Sequence, residues 1–130
     1  MDAAIAALEP VLFAHIPADR WEERQEAYST SCSSADTVGK YASPMYTAVG
    51  EYLTADMWPE LEAVLTEHGF AARSELPLKS GNAMVDFFND VGDTITLSPT
   101  ANSAYGPGGA GYGGETGCHE GYVWPRDRTS

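Results

Sequence analysis

Two cysteines and three histidines are the residues of this sequence that most often bind metal ions. A structural zinc site needs about four closely spaced Cys and His ligands, yet Cys32 and Cys118 lie near opposite ends of the chain. His119 follows Cys118, but neighbouring residues of a strand point to opposite faces and do not readily share one ion. We therefore expect no metal and no cofactor. A disulfide between Cys32 and Cys118 is the favoured interpretation, and two buried free thiols of a cytosolic protein are the alternative.

Acid–base or nucleophilic catalysis has few candidate residues in this chain. His119 precedes Glu120, but a carboxylate at the adjacent strand position cannot orient the imidazole without a bulge. His15 and His68 lie at the ends of predicted helices, where a histidine interacts with the helix C-terminus. The serines around Cys32 form neither a GxSxG elbow nor an SxxK pair. We therefore predict that the protein is not an enzyme, and a small hydrolase that uses a carboxylate or His119 is the weakest hypothesis.

Three aspartates, Asp86, Asp90 and Asp93, bracket a predicted turn. Their spacing is not the DxDxDG pattern with a Glu at the twelfth position that binds calcium. Asn and Asp side chains commonly bond to their own backbone in turns. The sequence therefore favours a structural turn over a calcium site.

A glycine-rich run extends from Gly106 to Gly114. It is not a phosphate-binding loop, because no Lys-Ser or Lys-Thr follows it and no helix begins there. Tyrosine gives a large contact area at low entropic cost, and glycine lets a loop adapt to a partner. We therefore predict a recognition loop, with a plain surface loop as the alternative. The predicted partner-binding residues are Tyr105, Tyr112, Glu120, Tyr122 and Trp124.

Length and charge limit the class of protein. The chain has 130 residues, is 43% hydrophobic and carries a formal net charge of −12. Such a chain forms one domain with one core. The acidity argues against sequence-independent binding to nucleic acid or to an anionic membrane, because both need clustered Lys and Arg. The sequence has no apolar run of about 20 residues, so we expect no transmembrane segment.

Apolar spacing predicts two helices. The first covers residues 2–16, with Asp2 as its N-cap and a kink or split at Pro10. The second covers residues 54–69, where Thr54 or Asp56 is the expected cap. Gly69 followed by Phe70 indicates a Schellman motif at its end.

Strand signals fill much of the rest of the chain. Residues 41–49 predict one short strand with an edge-type proline, Pro44, and residues 83–97 predict a β-hairpin. Residues 98–117 are loop-like, although Ala110–Cys118 is also compatible with a strand interrupted by glycines. Residues 18–32 are ambiguous between helix and strand. The order of elements predicts an α+β fold: an antiparallel sheet of about 4–5 strands packed by two helices, with residues 1–125 as one domain and 126–130 as a loose tail.

Short motifs in a fixed order carry a family resemblance. They are Pro17-Ala18-Asp19-Arg20-Trp21 leading to Thr30-Ser31-Cys32, then Trp58-Pro59-Glu60-Leu61 through Glu67-His68-Gly69-Phe70, and finally Glu115-Thr116-Gly117-Cys118-His119. In this order the chain resembles, from about residue 5 to 120, the mature domain of small actinobacterial cell-envelope proteins, often predicted lipoproteins. The resemblance implies that the segment from Trp21 to Cys32 is a strand and that the two cysteines pair. It transfers no catalytic residues, and this chain departs from the pattern by its long glycine-rich insertion.

These observations lead to one functional hypothesis and its alternatives. We expect a non-enzymatic, extracytoplasmic acidic binding domain, most concretely an immunity or inhibitor protein that neutralises a secreted antibacterial toxin or enzyme, with a basic protein as partner. The alternative is an envelope lipoprotein domain with a structural or ligand-binding role. The N-terminus has no positively charged region and no cleavage site. If the protein is exported, we therefore expect this sequence to be the mature chain with an added Met1. A lipid anchor, if there is one, is expected in the precursor.

Overall fold

The computed structural model describes residues 1–31, 38–77, 83–98 and 109–120. These residues form two α-helices, one 3-10 turn and nine strands of a single antiparallel sheet. In chain order the elements are α1 (Asp2–His15), the 3-10 turn (Ala18–Arg20), β1 (Glu22–Gln25), β2 (Tyr28–Ser31), β3 (Val38–Ala42), β4 (Met45–Val49), α2 (Trp58–Glu67), β5 (Ala72–Pro77), β6 (Ala83–Phe88), β7 (Thr94–Ser98), β8 (Gly109–Glu115) and β9 (His119–Glu120). The predicted α+β class is confirmed, but the sheet has more strands than the four or five expected.

The sheet follows the order β1-β4-β8-β7-β6-β5; β3 also pairs with β8, further along that strand than β4, and it pairs in turn with β2 and β9. Both β3 and β4 pair with β8, through Ala42 opposite Glu115 and Tyr46 opposite Tyr112. The strand predicted over residues 41–49 is therefore interrupted. The sheet-edge position predicted for Pro44 is wrong, because this interrupted strand lies between neighbours on both sides.

Ser43 explains how the sheet tolerates the interruption at Pro44, which has no backbone N–H to donate. The backbone N–H of Ser43 donates to the carbonyl oxygen of Gly114 at 2.9 Å. In return, the backbone N–H of Gly114 donates to Ser43 Oγ, also at 2.9 Å. A side-chain hydroxyl thus takes the place of a backbone acceptor, and Ser43 is buried for that reason.

Helix α1 continues without a break through Pro10. In a helix the backbone N–H of residue 10 would donate to the carbonyl of Ala6, and proline has no N–H to do so. Both Ala6 and Pro10 are exposed. The carbonyl that proline leaves without a helical donor therefore belongs to a solvent-exposed residue, where hydration offsets the lost hydrogen bond. The predicted split is wrong, and the N-cap is Met1 rather than Asp2.

Helix α2 begins at Trp58, later than the sequence predicts, and its N-cap is Met57 rather than Thr54 or Asp56. Its end is as predicted. The N–H of Phe70 donates to the carbonyl of Leu65 at 2.8 Å, and the N–H of Gly69 donates to that of Thr66 at 3.0 Å. Gly69 has a φ of +88°, so this is the Schellman arrangement, with Phe70 buried behind it.

The ambiguous segment of residues 18–32 contains two strands, β1 and β2, after a short 3-10 turn. The resemblance implied one strand from Trp21 to Cys32; extended structure is confirmed here, against the helix propensity of Glu22–Gln25, but it forms two short strands with different partners. Pairing with β4 outweighs propensity here, because a short edge strand with exposed charged side chains needs no apolar pattern. The sequence also did not predict strand β5. This segment is a strand because it pairs with β6 along its whole length, not because of an apolar pattern of its own.

Both helices pack on one face of the sheet. That face presents alternate residues of the central strands, and they form a single core with Leu8 and Leu12 of α1 and Leu61 and Leu65 of α2. Among the described residues, no helix is long and apolar enough to cross a membrane. The other face of the sheet carries no part of this core.

Candidate binding face

We call the side of the sheet opposite the helices the open face. Because successive strand residues alternate between faces, Ile95 and Leu97 of β7 enter the core while Thr94, Thr96 and Ser98 lie on the open face. By the same alternation and pairing, the open face also carries Lys40 and Ala42 of β3, Met45 and Thr47 of β4, Met84 and Asp86 of β6, and Gly111, Gly113 and Glu115 of β8.

A pocket of about 420 Å³ opens on this face. Its lining includes Lys40, Asp86, Thr94, Thr96 and Glu115, and we call it the polar pocket. The hydroxyl of Thr96 donates to Asp86 Oδ1 at 2.7 Å, and Lys40 Nζ lies 2.5 Å from Glu115 Oε1. The hydrogen bond and the negative charge of Glu115 raise the pKa of Lys40 above its ordinary value. The pocket therefore joins two carboxylates, one ammonium group and a row of hydroxyls.

A second pocket, of about 180 Å³, lies directly beside the first and shares Thr96 and Glu115 with it. Its other lining is mostly apolar, and we call it the apolar pocket; it includes Tyr28, Ala42, Met45, Met84 and Gly113. A Cβ at Gly113 would overlap the thioether of Met45. The missing side chain of Gly113 is therefore what lets the Met45 side chain lie down over β8.

The rim of the polar pocket is held by the turn between β6 and β7. Asp93 is buried, and its Oδ1 accepts the backbone N–H of Gly117 at 3.0 Å. Asn89 donates from Nδ2 to Asp93 Oδ2 at 3.1 Å and accepts the N–H groups of Val91 and Asp93 through its own Oδ1. These bonds support the structural interpretation of the aspartate-rich turn. The described residues contain no group of three or more His, Cys, Asp or Glu arranged for a metal ion.

Tyr112 does not belong to a recognition loop, and this prediction is wrong. It lies in β8, is 1% exposed, and its hydroxyl donates to Glu9 Oε2 at 2.6 Å. Its ring stacks on Tyr46 at 5.2 Å between centroids and meets Trp21 edge-on at 5.0 Å. Burial first, and then the bond to Glu9, raises the pKa of the Tyr112 phenol. The glycines on either side of Tyr112 are residues of strand β8. The predicted alternative of a glycine-interrupted strand is therefore correct for Gly109–Glu115.

Most of the other predicted site residues lie outside the described part of the chain. Tyr105, Tyr122, Trp124 and Cys32 lie outside the described residues, as does the side chain of Glu120, whose backbone is in β9. No described cysteine is a free thiol, and Cys118 has a bonding partner that the described residues do not include. The pairing of Cys32 with Cys118 stays a prediction.

The described backbone is compatible with that pairing. Ser31 is opposite Gly39 in the β2–β3 pair, and Gly39 is opposite His119 in the β3–β9 pair. The residues that flank the two cysteines therefore lie in one row at the same end of the sheet.

A further cavity, of about 400 Å³, lies at the C-terminal end of α1 and includes His15, Glu51, Tyr52 and Thr54 in its lining. Glu51, one of these lining residues, forms an ion pair with Arg20 at an N–O distance of 3.3 Å. The hydroxyl of Thr54 is hydrogen-bonded to the carboxylate of Asp56, so it is not poised toward His15. His68, at the end of α2, is exposed.

Sequence reasoning considered Asp86 only as part of the aspartate-rich turn and did not bring the residues of the polar pocket together. Lys40, Asp86, Thr96 and Glu115 come from four different strands, so no spacing along the chain connects them. The strict alternation of Thr94, Ile95, Thr96 and Leu97 was the available signal. It indicates a strand with one apolar and one hydroxyl-bearing face, but not what lies beside it.

Comparison with known proteins identifies a fold. No protein-family model matches the sequence, and no curated protein matches it. The crystal structure of a DUF4853 family protein from Actinomyces odontolyticus superposes with a TM-score of 0.58 and 10% sequence identity, covering 91% of this chain and 64% of that one. This chain thus spans less than two thirds of the length of the matched protein. At this identity the likeness shows a shared α+β fold and assigns no activity.

Proposed function

We propose that this protein is a non-enzymatic, extracytoplasmic binding domain, of the immunity or inhibitor kind, that takes a basic protein partner on its open face. One observation carries the proposal: the helix-free face has two adjoining pockets whose charged lining includes the carboxylates of Asp86 and Glu115. Concave sites with an apolar part and a few convergent polar groups are the usual places for binding.

The net charge, and not the ion pairs, carries the electrostatic part of the proposal. Arg20 pairs with Glu51, Lys40 with Glu115, and Arg73 with Glu62 and Glu75. Such exposed pairs contribute about 0–1 kcal/mol each to stability. Each pair cancels a cation against a carboxylate of the same chain, so the net charge of −12 is unchanged by pairing. The remaining field steers a positively charged partner toward the protein and raises its association rate.

The lining of the polar pocket supports binding rather than catalysis. A nucleophilic mechanism needs a nucleophile, a base within hydrogen-bond reach and a group that orients the base. The pocket pairs Thr96 with Asp86 directly, but no histidine is among its described lining residues. Hydroxyls and carboxylates in this arrangement are hydrogen-bond partners for a cationic group.

The proposed location outside the cytoplasm depends on the proposed disulfide between Cys32 and Cys118 and on the resemblance to cell-envelope proteins. Structural disulfides persist in oxidising compartments. The shared fold with a protein from Actinomyces is compatible with an actinobacterial source.

The experiment is affinity capture with the intact domain as bait against the secreted proteins of the source organism and its neighbours, followed by an activity assay of what is captured. We expect a basic secreted enzyme or toxin whose activity the domain inhibits, and whose association rate falls as salt rises from 50 to 500 mM, roughly as screening shortens the Debye length. A complex with salt-independent association would contradict the electrostatic account. Hydrolysis by the purified domain itself, lost in His119→Ala or Glu120→Gln, would overturn the non-enzymatic assignment.

A second candidate function is an envelope domain that binds a small ligand, and the size of the polar pocket favours it. A cavity of about 420 Å³ lies within the range of small-molecule sites. Native mass spectrometry of the domain purified from its own host separates the two functions. A retained small molecule supports this candidate, whereas a ligand-free domain that inhibits a basic enzyme supports the first.

A further inference from the structure

We infer that the polar pocket is a subsite for the guanidinium group of an arginine, and that the apolar pocket takes an apolar side chain from the same partner segment. This inference rests on the proposed function and names the chemistry that the open face recognises. It adds a preference for arginine over lysine and a two-residue pattern in the partner.

The placement of the two carboxylates favours arginine. Asp86 is opposite Thr96, and Glu115 is opposite Thr94, so the carboxylates lie on the strands either side of β7. The two residues are two strand spacings apart and are offset by two residues along β7, which separates their backbones by about 12 Å. A guanidinium has N–H donors on more than one edge, so it can donate to Asp86 on one side and to Glu115 on the other. An ammonium group acts as a single point charge.

Lys40 shows that a cation already occupies part of this pocket. Its ammonium group lies against Glu115, and both side chains are partly exposed, at 35% and 44%. Among the described residues, Asp86 accepts one hydrogen bond, from Thr96 to Oδ1. An incoming guanidinium would therefore bind Asp86 and compete with Lys40 for Glu115. Removing Lys40 should strengthen binding of the ligand rather than weaken it.

The apolar pocket gives the inference its second residue. It shares Thr96 and Glu115 with the polar pocket, so the two pockets are immediate neighbours on one face. In an extended segment, side chains two positions apart lie on the same side and are about 7 Å from each other. An extended partner segment of the form Arg-x-apolar therefore fills both pockets, with the apolar side chain against Met45 and Met84.

The test uses the full chain, labelled with 15N, and three short probe peptides: acetyl-Arg-Gly-Leu-amide and its Lys and Gln counterparts. We expect the Arg peptide to shift the amide signals of Thr94, Thr96 and Glu115. Charge-assisted hydrogen bonds predict that it binds about tenfold more tightly than the Gln peptide, with the Lys peptide in between. Equal binding of the Arg and Gln peptides, or shifts confined to the helices, would overturn the inference.

Three pocket variants with two matched controls separate the effect of the pocket from the effect of the general negative field. Asp86→Asn keeps an acceptor for Thr96 and is expected to weaken the Arg peptide about tenfold, as is Glu115→Gln. Glu60→Gln, on the exposed surface of α2, makes the same charge change and should alter binding less than about twofold. Lys40→Met should strengthen binding, whereas Arg20→Met, which removes the same charge elsewhere, should not. A control that changes affinity as much as its pocket variant would overturn the inference.

Failure of this inference is distinguishable from failure of the proposed function. If a basic partner is captured and inhibited but the Arg peptide does not bind the open face, the function stands and the arginine subsite does not. If the Arg peptide binds as described but no secreted basic partner exists, the subsite stands and the immunity role does not.

Discussion

Three glycines of β8 allow the pairing of the central strands to be tested by graded substitution. Gly109, Gly111 and Gly113 alternate along the strand and share the open face. A Cβ at Gly109 would lie 2.7 Å from the carbonyl carbon of Ala48 and 2.8 Å from the Cα of Val49, with the Ala48 carbonyl oxygen closer still. These are backbone atoms of the paired strand β4, so no side-chain rotation can relieve the overlap.

The neighbouring glycine has room for a methyl group. A Cβ at Gly111 would lie 3.4 Å from the carbonyl oxygen of Tyr46 and 3.6 Å from the Cβ of Ser98, which are ordinary contacts. Gly111→Ala should therefore be neutral or stabilise by up to about 1 kcal/mol, because it lowers the entropy of the unfolded chain. Gly109→Ala should cost about 3 kcal/mol, at the upper end of the range for overpacking. Gly113→Ala should cost about 1 kcal/mol, because the flexible Met45 thioether can move into the apolar pocket.

Urea unfolding followed by tryptophan fluorescence measures these differences directly. With a slope of about 2 kcal/mol per M, Gly109→Ala should lower the midpoint by about 1.5 M relative to the unsubstituted chain, and Gly111→Ala should leave it nearly unchanged. Equal stability of the two variants would refute the reasoning, because it would mean that Gly109 is not opposite Val49 in the β4–β8 pair.

Three further predictions concern the helix end, a buried tyrosine and the cysteines. Gly69→Ala should destabilise the protein by about 1–2 kcal/mol in urea unfolding, since an L residue pays that penalty at φ +88°, and an unchanged midpoint would contradict the Schellman assignment. Burial raises the pKa of Tyr112 above its ordinary value of 10.0, so its phenol ionises in the unfolded chain before it does in the folded one. The resulting stability is complete below pH 10 and falls as pH rises beyond it; this alkaline slope should be reduced in Tyr112→Phe, and an identical slope would argue against a buried phenol. Thiol titration under denaturing, non-reducing conditions should find no free thiol, whereas two free thiols would remove the Cys32–Cys118 disulfide and the main support for an extracytoplasmic location.

The sequence predicted correctly those elements whose conformation depends on a few neighbouring residues. The Schellman end at Gly69 and Phe70 depends on one positive φ and one apolar contact, and both are visible in a few residues. The hairpin of β6 and β7 is similar, because alternation and a turn segment specify it without reference to the rest of the sheet.

Local patterns left the structure open where pairing with a distant strand decides it. Glu22–Gln25 are good helix formers, yet they form β1 because β4 offers partners 20 to 25 positions away. Glycine lowers strand propensity, yet Gly109–Glu115 is the central strand because close approach of Ala48 and Met45 requires positions without a side chain.

The candidate site was predicted less well than the fold for the same physical reason. Tyr112 was predicted to contact a partner because it lies in a glycine-rich segment. That segment is strand β8, in which Tyr112 is buried in the core and its hydroxyl donates to Glu9. The polar pocket joins Lys40, Asp86 and Glu115 across strands that are remote in sequence. Only the sheet register brings these charges together, and register is a property of the whole sheet.

The methionines provide the most direct test of the claim that the open face binds the partner. The chain has four, of which Met45 and Met84 line the apolar pocket, while Met57, the N-cap residue of α2, belongs to the core and is 1% exposed. With 13C-methyl-labelled methionine in the full chain, addition of the captured basic partner should shift or broaden the Met45 and Met84 signals and leave the Met57 signal in place. A complex that perturbs Met57 while Met45 and Met84 are unchanged would contradict the account.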